Sequence, residues 1–571
     1  NYNGNPPWGG GGVGYTAENP TAQARYPSSL ASEEYPYAIY NEYTGNVSDW
    51  PAECSLYGGR PYFSYDEFGW GGESWLYPVD LDPLYDCTKD LWQGSVGYGY
   101  DAPTGNHHVS VVYDDWTRDG SYLFTSEAVE DGYIVLGTEN LIINPQHIVE
   151  DYTSSAILSM NDNGQGLLGV VGYFEGYDPV GGTCDAPASN IICDYKTPMF
   201  KLTDNYGQSW AGDHAAFDFY YVPEEVFEDI MSTWPEFDVD ACTGQSYDLE
   251  RIWSWYNFDM RVDQTGNPHI VVSLVPESAE FLHYISDVSG FYHFTIEKEN
   301  IASPGEINTP TGWNWSYVPI PANNSFNWSA QDGDGYWWQM MGQLSISRDN
   351  DDIIYVVSNV ATLGDMNPEF DENGDNIEDD PCGIQDFPWE LYPEYSEDIW
   401  VAKSADNGKT WSALYNITNT PKDGDESLAG IGHEDGCSPE EMLVHTAHWS
   451  SDDRVYFQYQ SPNWAWNEIG DMNGADYMNR VFLGYSYVED LGIGGCTDSD
   501  NCMFNPAAEW DNGDCASGLN LDASGCDCTM PGCAAADAAC GGTAQSDCLG
   551  DCQGTAVNVC NGTLIECIAD G

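Results

Sequence analysis

The sequence predicts an all-β protein, and three features of the chain support this class. Aromatic residues are abundant, with 39 Tyr, 22 Trp and 19 Phe, and these side chains favour strands over helices. Short apolar segments recur and follow turn signals such as Thr104-Gly105-Asn106 and Thr265-Gly266-Asn267. No long segment shows the 3.6-residue periodicity of an amphipathic helix. We therefore expect antiparallel sheets joined by turns.

Size and charge limit the classes of partner. The 571 residues exceed the size at which a single core stops growing, so more than one unit is expected. The chain has 93 acidic and 15 basic residues, a formal net charge of −78. Such a chain repels nucleic acid and anionic membranes, and it attracts hard cations such as Ca²⁺. We expect no nucleic-acid partner.

A repeat of two apolar strands occurs six times, with a period of roughly 60 to 100 residues. The first strands of the copies lie at 37–40, 108–112, 167–171, 269–272, 353–357 and 455–459. The second strands lie at 61–64, 122–125, 199–202, 292–295, 400–403 and 481–484. Six such repeats predict a six-bladed β-propeller with long insertions between strands. Two β-sandwiches with similar alternation are the competing interpretation.

An eight-residue motif follows the second strand of the fifth copy. Its marked residues are Ser404, Asp406, Gly408, Thr410 and Trp411. An Asp side chain accepts hydrogen bonds from N–H groups of its own turn, and Gly adopts positive φ without steric strain. The Trp ring is large enough to pack between neighbouring sheets. The motif resembles the Asp-box of sialidase-like β-propellers, where it closes the hairpin between the two outer strands of a blade.

Two further copies show the same pattern with less agreement. The third copy has Asn in the Asp position, in a motif formed by Thr203, Asn205, Gly207, Ser209 and Trp210. The first copy has a spread version at Ser64, Asp66, Gly69 and Trp75. The resemblance covers about residues 31–490 and implies a scaffold role for these residues, with no part in catalysis.

We predict three regions. Residues 1–30, with four consecutive glycines at 9–12, read as an extended N-terminal arm. Residues 31–490 form the propeller, and 491–571 form a cysteine-rich module. The segments at 495–498, 504–508 and 511–515 resemble repeats found in large secreted surface proteins of marine and gliding bacteria. That resemblance implies a stalk or spacer.

Cysteine usage predicts an oxidising compartment. Of 18 cysteines, 11 lie in the last 76 residues, a density typical of disulfide-rich modules. We expect a secreted or cell-surface protein, with a signal peptide removed before Asn1. No apolar run is long enough for a membrane span. Expected disulfide bonds are Cys184–Cys193, Cys54–Cys87 and Cys382–Cys437.

One acidic loop predicts a structural calcium site. Oxygen ligands alternate along 371–380, and a glycine permits a tight bend, which suits Ca²⁺. The loop resembles the calcium loops of thrombospondin type 3 repeats. A solvated acidic loop without bound metal is the alternative. The candidate ligands are Asp371, Asn373, Asp375, Ile377, Asp379 and Asp380.

No catalytic residue can be assigned from the sequence. A sialidase needs three arginines around the substrate carboxylate, and none of the eight here sits in a recognisable sialidase motif. Another glycosidase needs only two carboxylates, which 93 acidic residues leave unspecified. His433, His445 and His448 could hold a transition metal or serve as hydrogen-bonded structural histidines.

Tryptophan clusters at 313–315, 328, 337–338 and 464–466 fall in insertions. They could stack on sugar rings or pack the insertions onto the propeller. We therefore expect a secreted, calcium-binding, non-enzymatic structural or adhesive protein of a bacterial cell surface or extracellular assembly, associating with itself into a filament or with other surface proteins. The alternatives are a glycan-binding, lectin-like propeller and a polysaccharide or glycoside hydrolase.

Overall fold

The chain forms six antiparallel sheets that succeed one another along the sequence. A computed structural model describes residues 24–46, 51–71, 74–148, 153–174, 196–212, 218–234, 249–278, 289–301, 311–319, 342–363, 395–412, 415–418, 442–461, 480–488, 494–495 and 510–511. Each sheet consists of strands close in sequence, and the first strands of successive sheets lie side by side. This is the arrangement of a six-bladed β-propeller, so the predicted all-β, six-bladed fold is confirmed.

The first three blades contain thirteen strands. Blade 1 has β1 (Ala24–Ala31), β2 (Pro36–Tyr43), β3 (Gly59–Tyr65) and β4 (Val79–Asp80). Blade 2 has β5 (Leu91–Asp101), β6 (Asn106–Asp115), β7 (Ser121–Glu130), β8 (Tyr133–Leu136) and β9 (Asn140–Ile143). Blade 3 has β10 (Ile157–Met160), β11 (Gly166–Gly172), β12 (Thr197–Thr203) and β13 (Tyr220–Tyr221). A helix, α1 (Glu224–Thr233), precedes blade 4.

The last three blades contain the remaining long strands. Blade 4 has β14 (Leu249–Val262), β15 (Pro268–Ser278), β16 (Gly290–Thr295) and β17 (Asn314–Val318). Blade 5 has β18 (Gln343–Ser347), β19 (Ile354–Leu363), β20 (Tyr395–Ser404) and β21 (Tyr415–Asn416). Blade 6 has β22 (Met442–Thr446), β24 (Arg454–Ser461) and β25 (Arg480–Tyr487), while β23 (Trp449–Ser450) pairs with β18. A short parallel pair, β26 (Gly494–Gly495) and β27 (Trp510–Asp511), follows.

The strands taken as the first of each repeat are the second strands of their blades. Each pairs antiparallel with the strand predicted after it, as β2 does with β3 and β19 with β20. The sequence missed the innermost strand of every blade, because these strands share no apolar pattern. For example, β5 contains three glycines and β10 has only four residues.

Blade 1 begins inside the range assigned to the N-terminal arm. Residues 24–31 form β1, which pairs with β2 across a register shift. The sequence also missed α1, which is short and buries Val226, Phe227 and Ile230. These side chains pack with Phe200 of blade 3 and Phe294 of blade 4, so the helix fills the space between two blades.

Five apolar clusters lie between consecutive blades in the described part of the chain. One joins Phe63 of blade 1 to Val111 of blade 2. Others join blades 2 and 3, blades 3 and 4, blades 4 and 5, and blades 5 and 6. Burial of these apolar faces stabilises the stacking of each blade on the next. No described helix is long and apolar enough to span a membrane.

The two ends of the propeller differ in their connections. In each blade the second strand ends and the third begins at one end, which we call the insertion end. Long connections at 173–196, 364–394 and 462–479 join strands there, as do the segments between blades at 222–248 and 319–342. The opposite end, which we call the turn end, carries the turns between first and second strands.

The turns at the turn end use local side-chain hydrogen bonds. Asn161 Oδ1 accepts from the N–H groups of Asn163 and Gln165, both at 3.0 Å. Asp263 Oδ1 accepts from Thr265 and Asn267 in the same way, at 2.9 and 2.8 Å. The repeated bonds fix the chain reversal between two long strands.

Candidate functional site

The predicted motif at 404–411 forms a closed turn between β20 and β21. Asp406 Oδ1 accepts from the N–H groups of Lys409 and Thr410 at 3.1 and 2.9 Å. Its Oδ2 accepts from the Thr410 hydroxyl at 2.7 Å, and Ser404 donates to Oδ1 at 2.9 Å. Burial acts to raise the pKa of Asp406, but these hydrogen bonds outweigh it and hold the pKa below its usual range. Gly408 has φ +75°, as the motif requires.

The motif at 203–210 forms a similar turn after β12. Asn205 Oδ1 accepts from the Thr203 hydroxyl and the Ser209 N–H at 2.9 and 3.0 Å. Asn205 Nδ2 donates to the Ser209 hydroxyl at 2.8 Å, and Gly207 has φ +76°. The Trp210 indole N–H donates to Gly207 O at 3.0 Å. The amide thus replaces the carboxylate while keeping the turn.

The turn at 404–411 is bonded to blade 4. Ser316 of β17 donates to Gly408 O at 2.6 Å and accepts from the Trp411 indole N–H at 2.8 Å. His293 of β16 lies against both residues, with Nδ1 3.2 Å from Gly408 O and its ring centroid 5.5 Å from that of Trp411. This motif therefore joins two blades.

A buried chain of histidines continues from this junction. A carbonyl can only accept, so His293 Nδ1 donates to Gly408 O, and Nε2 accepts from His269 Nδ1 at 3.0 Å. His269 Nε2 lies 3.7 Å from Asp263 Oδ2. Burial, followed by the neighbouring His269, lowers the pKa of His293 well below its usual value. Sequence reasoning did not single out these two histidines. The only indication was that each is a polar residue within a predicted apolar strand.

The predicted calcium ligands Asp371, Asn373, Asp375, Ile377, Asp379 and Asp380 lie outside the described residues. The segment 364–394 that contains them joins β19 to β20 at the insertion end. Among the residues that the structure describes, no group of three or more His, Cys, Asp or Glu side chains could hold a metal ion.

Cys54 and Cys87 form a disulfide bond, with their Cα atoms 5.4 Å apart. The bond links the connection from β2 to β3 with the connection from β4 to β5, so it braces the insertion end of blade 1. The predicted pairs Cys184–Cys193 and Cys382–Cys437 lie outside the described part of the chain.

His448 is held in the fold by contacts with neighbouring protein groups. Its Nε2 donates to Val262 O at 2.9 Å, and its ring stacks on Trp449 at 4.1 Å. His445 lies in β22, and His433 falls outside the described residues.

Of the predicted tryptophan clusters, Trp313 is buried and Trp315 donates to Asp229 of α1 at 2.7 Å. The clusters at 328, 337–338 and 464–466 lie outside the residues that the structure describes.

Five arginines are engaged with carboxylates on different blades. The pairs are Arg60–Asp80, Arg118–Asp115, Arg251–Glu277, Arg261–Asp259 and Arg348–Asp162, with N–O distances of 2.6 to 3.2 Å. A sialidase would need three such groups to converge on one substrate carboxylate. The five arginines belong to blades 1, 2, 4 and 5, and each is paired with a carboxylate of the protein itself.

An ion-pair network joins blades 1 and 2 at the insertion end. Glu139 receives a bidentate pair of bonds from Arg118, at 2.8 and 3.0 Å, and lies 3.2 Å from Lys89 Nζ. Lys89 also contacts Asp82 at 2.7 Å, and Arg118 contacts Asp115 at 2.6 Å. Burial acts to raise the pKa of Glu139, but its bonds to Arg118 and Lys89 lower it overall.

Four aromatic rings form a continuous row beside this network. Tyr57, Tyr43, Trp92 and Trp116 follow one another with ring centroids 6.1, 5.5 and 5.7 Å apart. Trp92 is buried, whereas Tyr57 is 77% exposed and Trp116 is 56% exposed. We call this set the aromatic row. The sequence did not reveal it, because folding brings its members together from four separate segments.

Solved structures similar to this chain include three carbohydrate-active enzymes. The polysaccharide lyase Uly1 matches with 10% identity over 81% of this chain and 77% of its own, at a TM-score of 0.41. The Trypanosoma rangeli sialidase matches with 9% identity, 81% and 54% coverage and a TM-score of 0.35. An α-L-arabinofuranosidase of Fusarium graminearum matches with 10% identity, 59% and 72% coverage and a TM-score of 0.27. At these identities and TM-scores the likeness carries nothing about activity.

No protein-family model matches the chain. No curated protein matches it either.

Proposed function

We propose that this chain is an extracellular adhesive protein whose propeller binds glycans without cleaving them. The observation that carries the proposal is the aromatic row. Two large rings, Tyr57 and Trp116, stand exposed at its two ends, while Trp92 anchors it in the core. Aromatic rings present a flat apolar face beside a polar group, which suits contact with the C–H faces of sugar rings.

The row is held in a fixed conformation. Cys54, bonded to Cys87, lies three residues before Tyr57. The backbone N–H of Trp116 donates to Asp90 O at 2.9 Å. The turn that follows is closed by Asp115 Oδ1, which accepts from the backbone N–H of Thr117 at 2.9 Å. A preorganised surface loses less conformational entropy on binding, so these braces favour affinity.

The charges near the row support binding through rings and neutral groups. Lys89 and Arg118 are already neutralised by Asp82, Asp115 and Glu139. A carboxylate on the ligand would have to compete with these short pairs and with the overall charge of −78. The proposal therefore names neutral glycans as the ligands.

Two further observations agree with an extracellular location. The Cys54–Cys87 bond needs an oxidising compartment to persist, and the cysteine-rich segment 491–571 has the composition of secreted modules. We include calcium binding at 371–380 in the proposal as a stabilising feature, on the strength of the alternating oxygen ligands in that loop.

The test is binding of the full chain to immobilised neutral polysaccharides in millimolar calcium. Tyr57→Ala and Trp116→Ala should each weaken binding about tenfold or more, because exposed aromatic anchors dominate such contacts. Trp70→Ala is the matched control. Trp70 is 59% exposed but lies past the end of β3, at the turn end, so its loss should leave binding unchanged.

Two results would contradict the proposal. Equal losses for Trp70→Ala and Trp116→Ala would mean that general surface hydrophobicity drives the binding. Release of shortened or unsaturated sugar chains during incubation would identify the protein as a hydrolase or lyase.

A further inference from the structure

A cavity of about 470 Å³ lies between blades 2 and 3, apart from the aromatic row. Its volume is within the range of small-ligand pockets, roughly 300 to 1,000 Å³. One side is formed by β7 and by residues 138–142 of blade 2, and the other by Lys201 and the turn at 207–210. The second Asp-box-like motif is therefore one wall of an open space.

The cavity exists because blade 2 does not fill the space that blade 4 fills. Under the turn at 404–411, the His293 ring and Ser316 contact Gly408 O. Under the turn at 203–210, the smaller Thr125 contacts Gly207 O, at 3.3 Å. The partner of β7 is also split, since β8 pairs with 126–130 and β9 with 121–123. Between these two pairings, the Gly137 N–H donates to Thr125 O at 2.9 Å.

The walls are mainly polar, and Leu123 and the Trp210 ring add apolar surface. The polar side chains of Thr138, Asn140 and Gln208 line the cavity and are exposed to solvent. Leu123 lines the cavity as a buried apolar residue. Because the Trp210 N–H is taken by Gly207 O, its ring carbons are what it offers to a ligand.

One cation reaches the cavity, but it is not free. Lys201 Nζ lies 3.6 Å from Asp218 Oδ2 and 4.8 Å from the centroid of Phe219. Its ammonium group can still donate to a hydroxyl, since an ammonium has three N–H groups. An anionic ligand would meet Asp218 and a chain of net charge −78, and a neutral polyhydroxylated ligand would not.

We propose that this cavity binds one neutral sugar residue of a glycan, with the Trp210 ring against the sugar face and Asn140, Gln208 and Lys201 on its hydroxyls. The site goes beyond the function proposed above, because it lies between different blades and uses other residues. Either site can fail while the other stands.

The experiment titrates the full chain with methyl glycosides of neutral hexoses and, in parallel, with methyl glucuronoside. Tryptophan fluorescence and calorimetry report binding, and we expect a neutral hexoside to bind with a Kd on the order of 1 mM. The double variant Asn140→Ala/Gln208→Ala should raise that Kd about tenfold. Thr138→Trp, at an exposed position, should block the cavity and abolish binding.

The matched control is Lys409→Ala. Lys409 holds the same place in the turn at 404–411 that Gln208 holds in the turn at 203–210, and it does not line the cavity. This variant and Trp70→Ala, at another exposed tryptophan outside the cavity, should bind the hexoside as the unmodified chain does. Tighter binding of glucuronoside than of any neutral hexoside would overturn the ligand class. No saturable binding below about 100 mM, or binding unchanged in both cavity variants, would overturn the site.

Discussion

The turns at 404–411 and 203–210 have nearly the same internal bonds and different neighbours. Each has a hydroxyl residue at its start, an Asp or Asn that accepts from N–H groups, and a glycine at positive φ. Beneath the first lies a buried histidine in contact with a second histidine. Beneath the second lie the small side chains Thr125 and Ser110.

This difference separates two properties of the motif. Its own residues determine the shape of the turn, whereas the neighbouring blade determines whether the turn acts as a joint or as the wall of a cavity. A mutation that alters only the turn should therefore have different effects at the two places, in proportion to how closely the neighbour is packed.

The largest expected effect is that of Gly408→Ala. An added Cβ would lie 2.1 Å from Cε1 of His293, whose ring is buried and held by hydrogen bonds. The new alanine would also have to adopt φ +75°, which is unfavourable for a residue with a Cβ. We expect a loss of about 3 kcal/mol in the free energy of unfolding, measured by denaturant titration. Gly207 has the same backbone conformation, but a Cβ added there would lie 2.5 Å from Ser110 Oγ, and the serine side chain can rotate away. For Gly207→Ala we therefore expect about half that loss. Equal losses would show that backbone strain alone matters and that the neighbour does not.

A smaller effect is expected from removing the acceptor side chains. Asp406→Ala deletes charge-assisted bonds and should cost about 2 kcal/mol, while Asn205→Ala deletes neutral bonds and should cost about 1 kcal/mol. The measurement is again the denaturation midpoint at neutral pH. Lys409→Ala serves as control, because only its backbone N–H takes part in the turn. A larger loss for Asn205→Ala than for Asp406→Ala would show that the two turns are not stabilised by the same hydrogen bonds.

The last expected effect is a pH dependence of stability to which the junction at His293 contributes. His293 is neutral in the fold because its pKa is well below 6.5, whereas the unfolded chain takes up a proton near pH 6.5. The unfolded state therefore gains protons first as the pH falls, and stability is lost from about pH 6.5 downward. The loss from this residue should reach up to about 1.4 kcal/mol at pH 5.5.

Protonation would also set two N–H groups of His293 and His269 against each other and break their bond. The variant His293→Gln should show a flatter stability profile between pH 7.5 and 5.5. Gly207→Ala, which leaves this pair intact, should keep the slope of the unmodified chain. An unchanged slope in His293→Gln would assign the acid sensitivity to other groups.

The sequence predicted the second and third strands of each blade because those strands are continuous apolar runs with turn signals before them. It also identified the residues of both turns and the Cys54–Cys87 pair, since each depends on neighbours within a few dozen residues. It did not predict that His293 would lie under Gly408, 115 residues away. The innermost strands were missed because their side chains follow no common period. Contacts between blades depend on which side chains meet after folding, and no local pattern records that.

The concentration of long connections at the insertion end has a consequence for chain entropy. Closing a loop becomes only slowly harder with length, by about 0.6 kcal/mol for each doubling. The segment 364–394 thus adds 31 residues between β19 and β20 for a penalty no larger than that of many single substitutions. The hairpins that close at the turn end, such as β18 with β19, keep contacts between near neighbours whatever is inserted opposite, whereas the pairing of β19 with β20 spans the insertion. New surface can therefore be added at one end of this propeller while these hairpins keep their local contacts.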